Sequence, residues 1–242
     1  MKLRSAVVAL AVLMCVPSAR TQQKYLYKAS LVQAAPGKLV ELIDVYKSLW
    51  AVQAKAGGEE APLWMRHSQG DRWDLLILFP MGNYGEYYRA GRVAAREKAL
   101  EPWREKLQGD IAWQEDVFAY GPPLEEVRNA FAGAGLFHVE MFQALPGHQA
   151  GLYKEREMEN AYAHSVKDPE NLIFVRDQGA AWDLFTIGCF RDLKHYAEGA
   201  SGSPKEQEEA AKAAGFESAS QIGPYLRTFI ALHHDTLAVA VK

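Results

Sequence analysis

The spacing of hydrophobic and polar positions along this chain alternates between strand-like and helix-like, and the same order of changes occurs twice. A strand-like segment runs into Pro-Gly, and apolar residues then recur three and four positions apart, as on one face of an amphipathic helix. Two short apolar segments joined by a glycine-containing turn follow, and after them come a helical stretch and a last strand. The first set of elements is predicted at residues 24–33, 39–50, 62–67, 73–79, 84–108 and 115–120.

Two short motifs recur at nearly the same spacing. The sequence QAAPGK at residues 33–38 returns as QALPGH at 143–148, and QGDRWDL at 69–75 returns as QGAAWDL at 178–184, with offsets of 110 and 109 residues. In both copies Pro-Gly stops a strand and opens a helix. The second set of elements is predicted at residues 136–143, 147–166, 172–176, 182–189, 205–230 and 234–241.

The repeat predicts an α+β protein built from two tandem ferredoxin-like units, each with the order β-α-β-β-α-β. The predicted boundaries are residues 24–121 for copy 1, 122–134 for a linker and 135–242 for copy 2. A four-stranded sheet with both helices on one face leaves its other face bare, and the sheet of the sister copy can cover it. We therefore expect two units packed sheet-to-sheet as an intrachain dimeric α/β barrel.

This arrangement resembles the dimeric α/β-barrel superfamily. The Pro-Gly helix entries at residues 36–37 and 146–147 and the Trp-Asp strands at 73–74 and 182–183 are similar to those of its antibiotic-biosynthesis-monooxygenase-like and NIPSNAP-like members. The resemblance extends through short motifs over nearly all of the chain that follows the first two dozen residues. It implies an oxygenase- or isomerase-like enzyme that needs no dedicated cofactor.

The first residues have the composition of a secretory signal peptide. Lys2 and Arg4 precede an uncharged apolar run over residues 6–16, and small residues follow it. This run is shorter than the roughly 20 residues that a membrane-spanning helix needs. We predict that residues 1–19 are cleaved and that the protein is exported, to the periplasm or the extracellular space. The alternative is a lipoprotein processed at Cys15.

Composition narrows the classes of function. The 242 residues are 49% hydrophobic and 24% charged, as in an ordinary globular protein, and the formal net charge is −3. The absence of a basic stripe argues against a nucleic-acid partner, and no later segment is apolar for long enough to span a membrane. Removal of the leader would leave Cys189 as the only cysteine, so no intrachain disulfide is expected. Nucleotide, phosphate-loop and nucleophile-elbow motifs are absent.

The two copies differ along the first helix, where apolar positions of copy 1 become polar in copy 2. A shift of 110 residues pairs Tyr46 with Arg156, Leu49 with Glu159, Trp50 with Asn160, and Ala54 with His164. Burial of such groups without partners costs about 2–7 kcal/mol each, so they must be paired, solvated or facing a cavity. One interpretation is a pocket in copy 2. The other is a more exposed helix whose charges, Glu155 included, are solvated.

The first strands of the two copies also differ. Lys28, Ser30 and Val32 correspond to His138, Glu140 and Phe142, and each set alternates onto one strand face. If that face meets the opposite sheet, His138 and Glu140 lie in the barrel interior near Lys28. Such a cluster would serve as an acid/base site or, alternatively, as a buried ion-pair network that fixes how the copies dock.

Histidines raise two cofactor hypotheses. His234 together with His138 and Glu140 would supply two imidazoles and a carboxylate, the ligand set of many open divalent-metal sites. A hydrogen-bonded strand-end histidine is the alternative. Chlorite-dismutase-like proteins also carry two ferredoxin-like units per chain, and this resemblance makes His195 the candidate axial ligand of a haem. A surface histidine is the alternative there, and the prediction for the whole chain is that it needs no cofactor.

These inferences predict an exported protein that binds or transforms a small, partly apolar organic molecule in copy 2. The candidate catalytic residues are His138, Glu140 and His234, and the candidate ligand-binding residues are Arg156, Glu159, Asn160, His164 and Trp182. The expected partner is a small-molecule ligand, with neither nucleic acid nor membrane. One alternative is a non-catalytic envelope protein that stores a ligand or acts as a scaffold. A haem-binding protein of chlorite-dismutase-like type is the second alternative.

Overall fold

The computed structural model of the protein describes residues 24–57 and 59–241. Its strands in this range are β1 (Tyr25–Ala34), β2 (Leu63–Gln69), β3 (Leu75–Gly82), β4 (Ile111–Gly121), β5 (Leu136–Ala144), β6 (Leu172–Gly179), β7 (Leu184–Phe190) and β8 (Ile230–Ala240). Its α-helices are α1 (Leu39–Gly57), α2 (Tyr84–Tyr87), α3 (Ala90–Leu100), α4 (Arg104–Asp110), α5 (Leu124–Ala132), α6 (Gln149–Ser165), α7 (Leu193–Glu198), α8 (Pro204–Ala214) and α9 (Ile222–Arg227). The predicted signal peptide, residues 1–19, lies outside the described residues.

The strands of the described chain join in one closed antiparallel barrel. Their order is β1-β3-β2-β8-β5-β7-β6-β4, and β4 pairs with β1 to complete the ring. The first half therefore has the order β4-β1-β3-β2, and the second half has the matching order β8-β5-β7-β6. The halves meet at two seams, the β2–β8 pair and the β4–β6 pair. The predicted α+β class with a large antiparallel sheet is confirmed.

The barrel interior is filled by alternate residues from all eight strands. In β1 and β5 these residues are Tyr27, Ala29, Leu31, Phe137, Val139 and Met141. Because neighbouring side chains of a strand point to opposite faces, His138, Glu140 and Lys28 face outward, toward the helices. The expectation that they meet inside the barrel is wrong. Both faces of β1 and β5 are buried, so the hydrophobic pattern did not show which face is the interior.

A layer of helices covers the outer face of each half. In the first half, α1 packs Leu42 and Tyr46 against Val32 and Ile77 of the sheet. In the second half, α6 and α9 pack Leu152 and Leu226 against equivalent strands, through a cluster that includes Phe142 and Leu184. None of the described helices combines the length and the apolar character that crossing a bilayer requires.

The segment predicted as a linker, residues 122–134, contains helix α5. Its apolar residues Leu124, Val127 and Phe131 recur at helical spacing and pack against the interior core, with Val127 fully buried. The ring of Phe131 lies 4.7 Å from that of Phe137 on β5. The connection between the halves is thus an ordered part of the core.

The recurring Trp-Asp motif fixes the end of the first strand in each half. The carboxylate of Asp74 accepts a hydrogen bond of 2.8 Å from the backbone N–H of Ala34, and that of Asp183 accepts one of 2.9 Å from Ala144. The bonds satisfy backbone groups just before each Pro-Gly turn, where the strand ladder ends. The motif therefore recurs for a structural reason.

The recurring Gln-Gly motif lies at the two seams. Gly70 has a φ of +123° and Gly179 a φ of +80°, values that favour glycine. A Cβ atom on Gly70 would lie 2.4 Å from the carbonyl oxygen of Asp235, and one on Gly179 would lie 2.4 Å from that of Asp116. Each glycine allows the hairpin of one half to approach the last strand of the other half.

Candidate functional site

A cavity of about 490 Å³ lies between the outer face of the first half and helices α1, α3 and α4. Its volume is within the range of about 300–1,000 Å³ that small-molecule sites occupy. Much of its lining is apolar or aromatic, including Tyr46, Leu49, Trp50, Ile77, Phe79, Leu100, Leu107 and Ile111. The sequence analysis predicted a pocket in the second half, and none of the residues predicted to bind a ligand there lines this cavity.

The strand side of the cavity has a polar floor of Lys28, Ser30 and Gln114, and all three contact Asp116, which does not itself line the cavity. The hydroxyl of Ser30 donates a 2.5 Å hydrogen bond to Oδ1 of Asp116, and the amide of Gln114 donates one of 2.9 Å to the same atom. The ammonium of Lys28 lies 3.5 Å from Oδ2 and 4.6 Å from the ring centroid of Phe79. These residues share a face because Ser30 is paired with Asp116 across β1 and β4.

Tyr46 closes the cavity from the helix side. Its side chain is buried and its ring stacks on that of Trp50, with centroids 5.0 Å apart. Burial raises the pKa of the Tyr46 phenol well above its ordinary value, and the nearby charge of Asp116 raises it further. The phenol is therefore neutral at physiological pH and keeps its proton.

The charged groups at the rim are paired with one another. Arg96 lies 3.2 Å from Glu59 and 3.9 Å above the ring centroid of Tyr87. Arg104 lies 2.6 Å from Glu97. Lys28 also has a carboxylate partner, at the longer distance of 3.5 Å from Asp116, and it lies on the floor, which makes it the better placed cation for a polar group of a bound molecule.

The equivalent face of the second half holds a buried cluster of charges around Arg156. This guanidinium lies 2.7 Å from Glu155, 3.4 Å from Glu140 and in direct contact with Glu159. Arg156 is 2% exposed and Glu155 is fully buried, so the alternative that α6 carries solvated charges is wrong for both. The hydroxyl of Thr186 donates a 2.9 Å hydrogen bond to Glu140.

Burial changes the ionisation of this cluster. Burial raises the pKa of Glu159 to about 7 and also raises that of Glu155, although Arg156 opposes both shifts. Burial acts in the same direction on Glu140, but His233 and Arg156 hold its pKa below the ordinary value. The cluster thus contains more acidic groups than Arg156 alone neutralises.

The predicted catalytic residues are divided between two faces. His138 and Glu140 lie beside the Arg156 cluster, and Nε2 of His138 is 3.1 Å from Oδ1 of Asp235. His234 lies elsewhere, with Nδ1 2.9 Å from Asp71 and its ring 4.8 Å from that of Trp182. The neighbours of His234 on β8 join His138 and Glu140 instead, because they point to the other face of the strand.

The other predicted ligand-binding residues have structural contacts. The side chain of Asn160 exchanges two 2.8 Å hydrogen bonds with the backbone of Asn171, which joins α6 to the start of β6. His164 is largely exposed and lies 2.8 Å from Glu170. Trp182 is buried in the interior core, and its indole N–H has no hydrogen-bond partner.

The sequence analysis missed one residue in the first half and two in the second. Asp116 lies on β4, and His233 and Asp235 lie on β8, the last strand of each half. The available signal was the alternation of β8, because His233 and Asp235 are two residues apart and so share a face.

Comparison with known proteins gives a likeness of fold. No protein-family profile matches the chain, and no curated protein sequence matches it. Among solved structures, an anthrone oxidase-like protein superposes with a TM-score of 0.56 at 11% identity, covering 92% of this chain and 93% of the other. A provisionally named monooxygenase from Lactobacillus acidophilus NCFM has a TM-score of 0.52 at 8% identity, covering 89% of this chain and 93% of its own.

A provisionally named chlorite dismutase is also similar, with a TM-score of 0.51 at 9% identity over 90% of this chain and 95% of the other. At these identities the likeness shows the fold alone. It supports the ferredoxin-like fold of the superfamily that the sequence motifs resemble. The functions in these names belong to those proteins.

The haem hypothesis finds no support at His195, the residue that it named. His195 is the second-half residue proposed as axial ligand, and its Nδ1 accepts a 3.2 Å hydrogen bond from the backbone N–H of Arg191 while its ring packs 5.6 Å from Phe190. It does not line the large cavity, which belongs to the first half. The described lining of that cavity contains no His, Cys or Met, the side chains that most often hold haem iron.

Proposed function

We propose that the protein binds a compact, partly apolar organic molecule with an acidic or carbonyl oxygen in the cavity of the first half. The observation that carries this proposal is the pairing of an aromatic wall with a polar floor in a cavity of about 490 Å³. The wall suits a flat apolar body. Lys28 on the floor suits a ligand oxygen that carries a negative charge or gains one during a reaction.

The chemistry that this floor supports best is stabilisation by Lys28 of a negative oxygen on the ligand, while Asp116, which does not line the cavity, holds Lys28 in position. Ser30 and Gln114 hold Oδ1 of the carboxylate, which leaves Oδ2 facing Lys28. The ammonium of Lys28 would then stabilise an oxyanion that forms on the ligand. Oxygenase- and isomerase-like reactions both involve such an oxyanion, and the names of the structural neighbours are compatible with it.

Two further proposals concern origin and location. We propose that the halves are diverged copies of one unit, for which the recurring motifs and the matching strand orders are the support. We also propose that the chain is exported, on the composition of residues 1–19. N-terminal sequencing of the protein recovered from the periplasm or medium tests the export proposal.

Ligand binding is tested by quenching of tryptophan fluorescence with 2-naphthol and anthrone as probes, together with dioxygen consumption in an oxygen electrode. Quenching by either probe should disappear in Trp50→Phe, because Trp50 lines the cavity. Lys28→Met should weaken binding roughly tenfold or more, since it removes a charged partner. Its melting temperature should stay nearly unchanged because the Lys28–Asp116 pair is partly exposed.

Lys194→Met is the matched control, because Lys194 is an exposed lysine of the other half. Equal probe affinity in Lys28→Met, Lys194→Met and the unmodified protein would contradict the proposal. A loss of stability in Lys28→Met without loss of binding would favour a scaffold.

A further inference from the structure

Four side chains that commonly bind metals meet on the outer face of the second half. His138 and Glu140 lie on β5, and His233 and Asp235 lie on the neighbouring strand β8. The register pairs Glu140 with Asp235, which places all four side chains on the same face. We call these four residues the β5–β8 cluster.

Three pairs of ligand atoms in the β5–β8 cluster lie near the spacing of a coordination shell. Oδ1 of Asp235 lies 3.1 Å from Nε2 of His138 and 3.4 Å from Nε2 of His233. The Nε2 atom of His233 is also 3.4 Å from Oε1 of Glu140. Ligand atoms about 2.0–2.2 Å from a tetrahedral Zn²⁺ lie roughly 3.3–3.6 Å apart. The ligand atoms of His138, Glu140 and Asp235 all lie within 4.8 Å of one another, and His233 approaches two of these residues, so one ion at the centre would require side-chain movements that draw the ligand atoms together.

His233 carries an unpaired polar atom that points into the cluster. Its side chain is 10% exposed, and Nε2 is buried without a hydrogen-bond partner despite the two nearby carboxylates. The ring stacks on Phe142 with centroids 4.6 Å apart and an interplanar angle of 4°, which fixes its direction. A buried imidazole nitrogen held toward carboxylate oxygens is placed to bind a cation.

The contacts of Glu140 direct one of its carboxylate oxygens toward the other residues of the cluster. Its Oε2 atom accepts a hydrogen bond from Thr186 and lies 3.4 Å from Arg156. These contacts leave Oε1 facing His233. Partners of this kind, outside the ligand shell, set the direction and basicity of metal ligands in proteins.

The charge balance favours an added cation. Among the described residues, Arg156 is the guanidinium that contacts Glu140, Glu155 and Glu159, so three carboxylates share one positive charge. Asp235 adds a fourth carboxylate at the solvent side, 3.1 Å from His138 and 3.4 Å from His233. Uncompensated carboxylates are costly in a buried setting, and a divalent ion would offset them.

We propose that His138, Glu140, His233 and Asp235 bind a divalent first-row metal ion, and that Zn²⁺ fits their two nitrogens and two carboxylates best. Such a mixed nitrogen and oxygen set suits Zn²⁺ in tetrahedral geometry. The ion reaches the site from solvent, because Asp235 is more than half exposed. It would join β5 to β8 and reduce the repulsion around Arg156.

The test uses the tag-free full chain, freed of metal by a chelator and titrated with ZnCl₂ by calorimetry, with CoCl₂ as a spectroscopic probe. We expect one equivalent of Zn²⁺ per chain, visible absorption of four-coordinate Co²⁺, and a melting temperature that rises by about 5 °C at saturation. His233→Ala should weaken Zn²⁺ binding roughly 100-fold. His234→Ala is the matched control, because its side chain lies next along the strand but on the other face.

Asp235→Asn provides a second variant, and its exposed position makes it safe for folding. It should weaken Zn²⁺ binding and change the Co²⁺ spectrum even if His233→Ala fails to fold. Absence of stoichiometric binding to the unmodified protein would overturn the proposal. Binding that Asp235→Asn leaves unchanged, or that His234→Ala weakens as much as His233→Ala does, would overturn it as well.

Discussion

Matching backbone positions on the outer faces of the two halves carry different kinds of side chain and form different structures. In the first half these positions carry Lys28, Ser30, Gln114 and Asp116, and in the second half they carry His138, Glu140, His233 and Asp235. On the covering helix, Tyr46 of the first half corresponds to Arg156 of the second. The first half encloses a cavity above its strands, whereas the second half fills that space with buried charge.

The comparison shows that a few side chains decide how the space under the helix layer is used. Replacement of a small hydroxyl at Ser30 by the longer carboxylate of Glu140 requires a cation above it, which Arg156 supplies. Once Arg156 is buried, Glu155 and Glu159 complete its hydrogen bonds. The charged face is therefore one interdependent unit, while the cavity face tolerates independent changes.

The largest expected effect comes from removal of Arg156. Arg156→Met leaves buried carboxylates without their partner and should lower the free energy of unfolding by about 3–5 kcal/mol. Tyr46→Phe at the corresponding position removes one hydroxyl and should cost about 1 kcal/mol or less. Urea denaturation measures both. Lys154→Met, an exposed change on α6, is the control, and similar losses at Arg156 and Tyr46 would break the comparison.

An intermediate effect is expected at the seams, where the halves should behave alike. Gly70→Ala and Gly179→Ala place a Cβ atom 2.4 Å from a backbone oxygen, and each should cost about 2–3 kcal/mol or more. Gly37→Ala and Gly147→Ala are matched controls with φ of +77° and +81° and open space around the new atom. Each control should lower the free energy of unfolding by about 1 kcal/mol, because only the cost of a positive φ in a non-glycine residue remains. Thermal unfolding measures these changes. Equal losses of stability in all four variants would contradict the explanation that Gly70 and Gly179 are needed for close backbone approach.

The smallest expected effect concerns the start of α8, which has a capping box of Ser203 and Glu206. Helix α3 of the first half, which Arg89 precedes at the N-cap position, begins without a side-chain cap. Ser203→Ala should cost about 1 kcal/mol. The backbone N–H of Ser203 holds the pKa of Glu206 below its ordinary value, so this cap contributes at neutral pH and is lost as the pH falls.

A urea titration at neutral and acidic pH measures this contribution. The difference between Ser203→Ala and the unmodified protein should shrink at acidic pH. A difference that grows on acidification would contradict the assigned role of Glu206.

The order of elements could be predicted because it depends on local signals. Pro-Gly ends a strand wherever it occurs, and the recurring Trp-Asp and Gln-Gly motifs mark equivalent backbone contacts in both halves. The likeness of fold to solved structures agrees with that analysis. Helix α5 was missed because its short apolar set lies between two strands and resembles a connection.

The sites could be predicted only in part, because they depend on which strand face is inward and on register. His138 and Glu140 were found from sequence differences between the halves, yet buried residues on both faces of β5 concealed their direction. A shift of one residue along β8 separates His234, on the wrong face, from His233 and Asp235. Burial of Arg156 could not be foreseen, since its partner Glu140 belongs to a different element.

The seams also determine what would happen if the polypeptide were divided at α5. Strand β4, which carries Asp116, is hydrogen-bonded on one side by β6, and β8, which carries Asp235, is hydrogen-bonded by β2. Each fragment would therefore present two unpaired strand edges. The strand that carries Asp116 or Asp235 would also lose its hydrogen-bonded neighbour from the other half. The fragments have matching edges, so we expect them to reassemble as complementary pieces, with neither serving as an independent domain.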